Sequence, residues 1–343
     1  MIVCVVGNYG NGDKLTDGQG IKTLELYNSL VKRFGQKEVY RVNLYKPNRI
    51  VIGCKLLLAL IRCKNVIVLV SKNGRKTVIP LLVYMNKLFH RNIFHSLIGS
   101  TTHQTLDENH KYIDIYNAIT GNWSETYTEK KLLEDRGLTN VTVVKNFKNI
   151  KVLDQGDLVY SSSAPFKICT FSRVEQLKGI GNIVRIVNRI NENYGKCMCK
   201  LDIYGQVMER YKDEFEELKK DFGESIRYKG IVDFDKSVDI IKGYYLTVFP
   251  TLYYTEGIPG TILDSFAAGV PVLSSEWESC FDIMNDRVGI TYSFNNDEAL
   301  YEKLCYAIEN PEVINAMKTE CIKEAKKYSS DEVVLEIEKY FLR

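Results

Sequence analysis

The sequence has no apolar run of the roughly 20 residues needed to cross a bilayer. Its best candidate, 51–70, is interrupted by Lys55, Arg62 and Lys64. It also lacks the spacing of a zinc site. There are nine cysteines and four histidines, but no Cys-x-x-Cys pair and no histidine close to a cysteine. The odd cysteine count argues against a disulfide framework. Most of the nine lie in apolar runs, and Cys197 and Cys199 share one face of a strand-like segment. They read as reduced, buried thiols of a cytosolic protein. The opening residues, MIVCVVGNYG, lack a positively charged lead, so the expectation is a first strand and not a signal peptide.

Acid is missing from one long stretch. Between Val39 and Leu106 there are 11 basic residues and no Asp or Glu. Residues 1–150 hold 22 Lys and Arg against 11 acids, a net +11, while residues 151–343 hold 24 against 32, a net −8. The first half therefore suits an anionic partner. Within the acid-free stretch, Leu56, Leu57, Leu60 and Ile61 fall on one side of an expected helix, flanked by Lys55, Arg62 and Lys64. That pattern suits an anionic membrane surface, and no nucleic-acid partner is expected.

The 45% apolar and 26% charged composition is that of a globular chain, and 343 residues suggest two domains. Strand-like runs alternate with helix-like stretches in both halves. The first half predicts strands at 2–7, 39–44, 66–70, 93–98, 112–115 and 141–144, with helices at 20–34, 50–61, 75–89 and 125–136. The second half predicts strands at 167–171, 199–204, 226–229, 247–249, 272–274 and 289–291. Its helices fall at 180–192, 207–222, 237–242, 260–268, 297–309, 311–328 and 331–342. The fold class is α/β: two tandem doubly wound Rossmann-like domains facing across a cleft. The expected division is 1–150, a linker at 151–165 containing SSSAP, 166–328, and a last helix, 329–343, returning to the first domain.

Two nucleotide motifs fail. Gly7, Gly10 and Gly12 have Gly-x-x-Gly-x-Gly spacing and not Gly-x-Gly-x-x-Gly, and Ile21 separates Gly20 from Lys22-Thr23, which breaks a P-loop. What remains is Gly18-Gln19-Gly20 at a helix start, able to offer backbone N–H groups to a phosphate. In the second half, Arg173 and Lys178 follow a strand at the expected cleft. Further on, TEGIPGTILDSFAAGVPVLSS places Glu256 just before a short helix and Asp264 one turn inside it. Pro259 suits the start of that helix and Gly269 its end. A positive helix end between two acids suits a ligand carrying both phosphates and hydroxyls.

The segments FSRVEQLKG and TEGIPGTILDSFAAGVPVLSS resemble the donor-domain signature of retaining GT-B glycosyltransferases of the family 4 type, including bacterial surface-polysaccharide members. Arg173, Lys178, Gly179, Glu256, Ala267, Gly269, Pro271 and Val272 match; Asp264 stands where the family usually has Glu. The resemblance covers about 167–275 and is weaker in the first half, where GLTNVTVVKNF and GQG are similar. It implies that Arg173 and Lys178 hold a diphosphate, Glu256 contacts the transferred sugar, and Asp264 holds the ribose. The donor stretch would also include Gly257, Ile258, Pro259, Gly260 and Thr261, with the Ile262 and Leu263 amides in the phosphate cradle. Many members place a histidine near the sugar; His103, in the loop after a strand, is preferred here over His95.

The expected function is transfer of a sugar from a nucleotide-diphosphate donor, UDP before GDP, to a glycan acceptor carried on lipid. The implied place is the inner face of the cell membrane, with no metal or other cofactor. Alternatives are a nucleotide-sugar epimerase or phosphorylase of the same fold, or a non-catalytic partner subunit, to which the Asp264 departure points.

Overall fold

The structure, a computed structural model, describes every residue except 11–17, 46–47, 100, 150, 234 and 342–343, and of Arg49 only the backbone. It consists of two units, Met1–Asn149 with Tyr328–Arg343, and Ile150–Lys327.

The first unit holds six strands: β1 (Val3–Gly7), β2 (Val39–Asn43), β3 (Asn65–Leu69), β4 (Asn92–Ser96), β5 (Gly121–Ser124) and β6 (Val141–Val143). They form one sheet in the order β2-β1-β3-β4-β5-β6, with every pair parallel. Parallel neighbours need crossover connections, so helices line the sheet and the inner strands become apolar throughout. Every residue of β1 and β3 is buried. The crossovers are α1 (Gly18–Phe34), α2 (Arg49–Arg62), α3 (Lys72–Arg75), α4 (Val78–Phe89), α5 (Thr102–Glu108), α6 (Lys111–Asn117) and α7 (Tyr127–Glu134).

The second unit repeats the plan with β7 (Phe166–Phe171), β8 (Cys199–Tyr204), β9 (Ile226–Gly230), β10 (Leu246–Phe249), β11 (Val272–Ser275) and β12 (Gly289–Tyr292). Its parallel order is β12-β11-β10-β7-β8-β9. The helices are α8 (Ile180–Asn193), α9 (Lys212–Leu218), α10 (Ser237–Ile241), α11 (Gly260–Ala267), α12 (Asp297–Glu309) and α13 (Pro311–Lys326). The chain runs outward from β7 to β9, then returns to start β10 on the other side of β7. The loops leaving β7 and β10 therefore part in opposite directions, and that switch point is where open α/β sheets bind ligands.

A last helix, α14 (Ser330–Phe341), belongs to the first unit. It packs on α1 through Val333, Val334 and Ile337, with Lys32–Asp331 and Arg33–Glu338 ion pairs at 2.8 Å. Tyr340 and Phe341 lie 5.7 and 6.0 Å from the Trp123 and Phe94 rings respectively. The segment 151–165 is held against the second unit. Leu153 N donates to Ala267 O at 2.8 Å, and Asn315 Nδ2 donates to Ser161 O at 2.8 Å.

Two expectations in the first unit are corrected. Residues 112–115 are not a strand but part of α6, where Tyr112 and Tyr116 share the inner face at helical spacing. The short Tyr-Ile-Asp-Ile alternation suggested a strand, but it fits one helical turn equally well. In its place the sheet takes β5, Gly-Asn-Trp-Ser, which is too polar to stand out. Burial of Asn122 there is made possible by hydrogen bonds from its Nδ2 to Tyr116 O and Asn140 Oδ1, at 3.0 and 2.8 Å. The expected helix 75–89 is broken into α3 and α4 around Lys76 and Thr77.

All nine cysteines are free; Cys54 and Cys197 are exposed, Cys305 is partly covered and the other six are buried. Burial pushes the Cys169, Cys199 and Cys280 thiols up to about 12, away from the reactive thiolate. A thiol reagent is expected to modify two cysteines quickly in the native protein and the remainder only after denaturation. Fast reaction of five or more would mean that the core assignment is wrong.

Candidate functional site

The strongest constellation lies at the switch point of the second unit. After β7 the chain makes a single 3-10 turn, Gln176–Lys178, and enters α8 through Gly179, whose φ is 66°. A Cβ on Gly179 would sit 1.9 Å from Pro250 O, so only glycine lets the two loops close up. Leu252 N donates to Leu177 O at 2.8 Å, fastening the loop after β10 to the loop after β7. This contact delivers Lys178 Nζ to the Glu256 carboxylate. Glu256 also accepts from Thr251 Oγ1 at 3.1 Å, and Lys178 lies 5.5 Å from the Phe249 ring centroid. The two side chains are only 12% and 14% exposed, so the pair is largely shielded from water.

Arg173 sits differently. Its side chain is 51% exposed and meets Glu175 at 3.4 Å; Glu175 is buried and is also held by Arg210. The structure thus brings Lys178 and Glu256 together and pairs Arg173 with a residue that sequence reasoning did not select.

Helix α11 starts beside this pair. Thr261 anchors it by donating its hydroxyl to Phe171 O, at the end of β7. Ser265 Oγ continues the tie to Thr247 Oγ1 at 3.0 Å. Ile262 N and Leu263 N both donate to Pro259 O, at 3.0 and 3.5 Å. The outward N–H groups of the helix are therefore those of Gly260 and Thr261, where the first turn has no preceding carbonyls to bond. Added atoms at Gly260 would meet nothing within 4 Å, so a ligand can approach its backbone closely. Gly257, Ile258 and Asp264 are buried, Asp264 one turn into the helix.

The remaining expected residues are in the first unit. Gly18, Gln19 and Gly20 form the first turn of α1. Gln19 is used internally, its Nε2 donating to Leu69 O at 3.3 Å. Gly12 and most of the preceding glycine-rich loop lie outside the described residues. His103 is not in a loop but on α5, where it is buried. His95 is on β4 and wholly enclosed.

Around these histidines is a buried polar cluster. Lys22 Nζ donates to Glu125 at 2.5 Å and to Leu97 O at 3.1 Å. Arg75 donates to Thr102 Oγ1 at 2.5 Å and to Thr101 Oγ1 at 3.0 Å. Glu129, on the first turn of α7, is 1% exposed. Burial, aided by the Glu125 charge, pushes its carboxyl up to about 8. Burial, aided by Arg75 and partly offset by Asn122, pushes His95 down to about 3. Glu129 was legible in principle: Thr126 caps α7 by accepting from Glu129 N at 3.0 Å, the Ser/Thr-x-x-Glu spacing of a helix start. Nothing in the sequence marked Lys22 or Glu125 as partners, since 103 residues separate them.

This cluster fixes a stability profile. Glu129 binds its proton more tightly folded than unfolded, so its contribution is full below about 4.5 and lost as pH rises to about 8. His95 binds its proton less tightly folded, so its contribution is lost as pH falls from about 6.5 to about 3. The two oppose each other between about 4.5 and 6.5, and only Glu129 titrates above that window. Unfolding free energy is expected to fall between pH 6.5 and 8, and Glu129→Gln to flatten that limb. An unchanged slope in the variant would contradict the buried neutral carboxyl.

Comparison with known proteins follows the same geometry. Residues 165–310 match the family model described as glycosyl transferases group 1, and the matched segment contains Arg173, Lys178, Glu256 and Asp264. No curated protein matches the chain by sequence. Among solved structures, HepE from Anabaena in complex with UDP superposes with a TM-score of 0.78 at 10% identity, over 99% of both chains. The same protein has been solved with UDP-glucose. Sucrose-phosphate synthase from Thermosynechococcus elongatus gives 0.72 at 12% identity, over 99% of this chain and 98% of that one. A glycosyltransferase from Rickettsia africae gives 0.72 at 15%, over 100% and 98%. At these identities the likeness is one of fold, the GT-B pattern of two parallel six-stranded sheets with helices.

Proposed function

We propose that the chain transfers a sugar from a nucleotide diphosphate, UDP in preference to GDP, to a lipid-carried glycan in surface-polysaccharide synthesis. Transfer proceeds with retention of configuration at the cytoplasmic face of the membrane. The observation that carries this reading is the Lys178–Glu256 pair at the β7/β10 switch point, beside the open end of α11 in the segment that matches the group 1 model. That HepE takes UDP and UDP-glucose supports the choice of nucleotide.

The chemistry suits those residues. Breaking the bond between sugar and diphosphate leaves negative charge on the departing phosphates and positive charge on the ring. Lys178, Arg173 and the Gly260 and Thr261 amides serve the first. Glu256 serves the second and lies against the transferred sugar. Groups already fixed in place by Gly179 and Leu252 do not reorganise as charge develops, which is where most of the rate comes from. Asp264 holds the ribose. No metal is needed for charge neutralisation in this scheme, so turnover should survive EDTA.

Lys178→Ala and Arg173→Ala are each expected to lower donor turnover by roughly 100- to 1000-fold, the usual cost of one preorganised charge partner. Release of UDP from a panel of UDP-sugars measures it, and wild-type rates in both variants would falsify the assignment. For Asp264, the Glu variant is expected to retain nucleotide affinity and the Ala variant to lose it, as read by UDP titration calorimetry. A product of inverted anomeric configuration, seen by proton NMR, would end the retaining reading alone.

A further inference from the structure

Among the described residues, the outer face of α2 is apolar without a partner. Its inner face, Leu56, Ala59 and Leu60, is fully buried in the first unit's core. Yet Ile50, Cys54, Leu57, Leu58 and Ile61 are all exposed, Ile50 at 74% and Ile61 at 52%. Their spacing of four, three, one and three residues makes a continuous stripe along the helix. A surface helix in a globular unit carries polar residues there. The neighbouring helix α4, which packs on α2, also carries exposed apolar residues, Tyr84 and Leu88, at 73% and 82%. Scattered exposed leucines need no explanation, but a two-helix patch marks an interaction surface.

The charged residues on α2 and α4 themselves are all cations, while Glu38 and Glu338 lie near Lys64 beyond the end of α2. Arg62 and Lys64 border the C-terminal end of α2, and Lys87 lies beside Tyr84 on α4. Among the described residues none of these three forms an ion pair with a carboxylate. Other cations of the acid-free stretch are already engaged: Lys72 and Lys76 with Glu108, Arg75 within the buried cluster. What is left over is an apolar ridge edged by cations.

We propose that α2 and α4 form the face by which this chain lies on an anionic lipid bilayer, with Leu57, Leu58, Ile61 and Leu88 entering the interface. The cations meet lipid phosphates while the apolar stripe is buried among the acyl chains, the combination that holds interfacial helices. A protein partner of this surface would need an acidic rim, and the basic edge alone does not select one. The inference gives the membrane location in the proposed function a physical face, but it stands on the surface and not on the transfer chemistry.

The test uses the full chain, carrying an environment-sensitive dye on Cys54 in a Cys197→Ser, Cys305→Ser background, with circular dichroism to verify folding. With phosphatidylcholine vesicles containing phosphatidylglycerol, the protein should sediment at low salt and release at high salt, and the dye should shift to the blue. Arg62→Gln, Lys64→Gln and Lys87→Gln should each lower vesicle affinity roughly fivefold. Leu57→Asp with Ile61→Asp, both at exposed positions, should abolish the shift with the fold intact. The inference is overturned by absence of vesicle binding at low salt, by binding without a blue shift, or by a dimer in light scattering that the double Asp variant dissociates. UDP release measured on the same preparation without vesicles reports the transfer site separately, so either reading can fail alone.

Discussion

The candidate site depends on one close approach. Gly179 places its backbone where any side chain would collide with Pro250 O, 1.9 Å from the position of a Cβ. That contact draws together two loops that the strand order would otherwise send apart. With it come Lys178, Glu256 and Thr251, and the start of α11 is tied to β7 through Thr261. The energetics are those of a shielded ion pair: the charges repay their lost hydration only while both partners are present. A ligand that competes for Lys178 must therefore also satisfy Glu256, which favours a molecule with a phosphate at one end and hydroxyls at the other.

Much of this was legible. Pro259 and Gly269 bracket α11 in the sequence because proline fits a helix start and glycine a helix end, and Glu256 stands just outside that bracket. The apolar strands of the second unit were legible for the same reason that they are buried on both faces. Other parts depended on contacts that no local pattern encodes. β5 is polar and is made buriable by Asn140 and by the carbonyl of Tyr116. α6 offered too few residues to separate a period of two from a period of 3.6. The Glu175 partnership of Arg173 and the Lys22–Glu125 pair join segments whose meeting is set by the topology alone.

The first unit shows a different use of burial. It encloses Lys22, Arg75, His95, Glu125 and Glu129, all under 9% exposed, next to helix starts and strand ends. Enclosed charges are costly, and the structure meets the cost by neutralising some groups and pairing others. His95 and Glu129 are driven to their uncharged forms, while Lys22 and Glu125 lie against each other at 2.5 Å. The same unit leaves an apolar helix face in solvent. Together these features give a unit with a polar cluster inside its otherwise apolar core and an apolar strip on one outer side, a departure from what stability alone would select, for which function is the ordinary reason.

The placement of α14 has a consequence for how the chain is made. Val333, Val334 and Ile337 fill the same core as Val3, Val5 and Leu26, so the first unit is closed by residues that follow the whole of the second. During synthesis, residues 1–149 emerge first and wait while Ile150–Lys327 is translated. At the usual 5–20 residues per second that interval lasts roughly 10–40 s. Through it, the α1 face that α14 will cover stands open to water and to other nascent chains. The second unit has no such debt to later sequence and can complete itself first. The order of folding is then the reverse of the order of the sequence, with the earliest residues the last to be sealed.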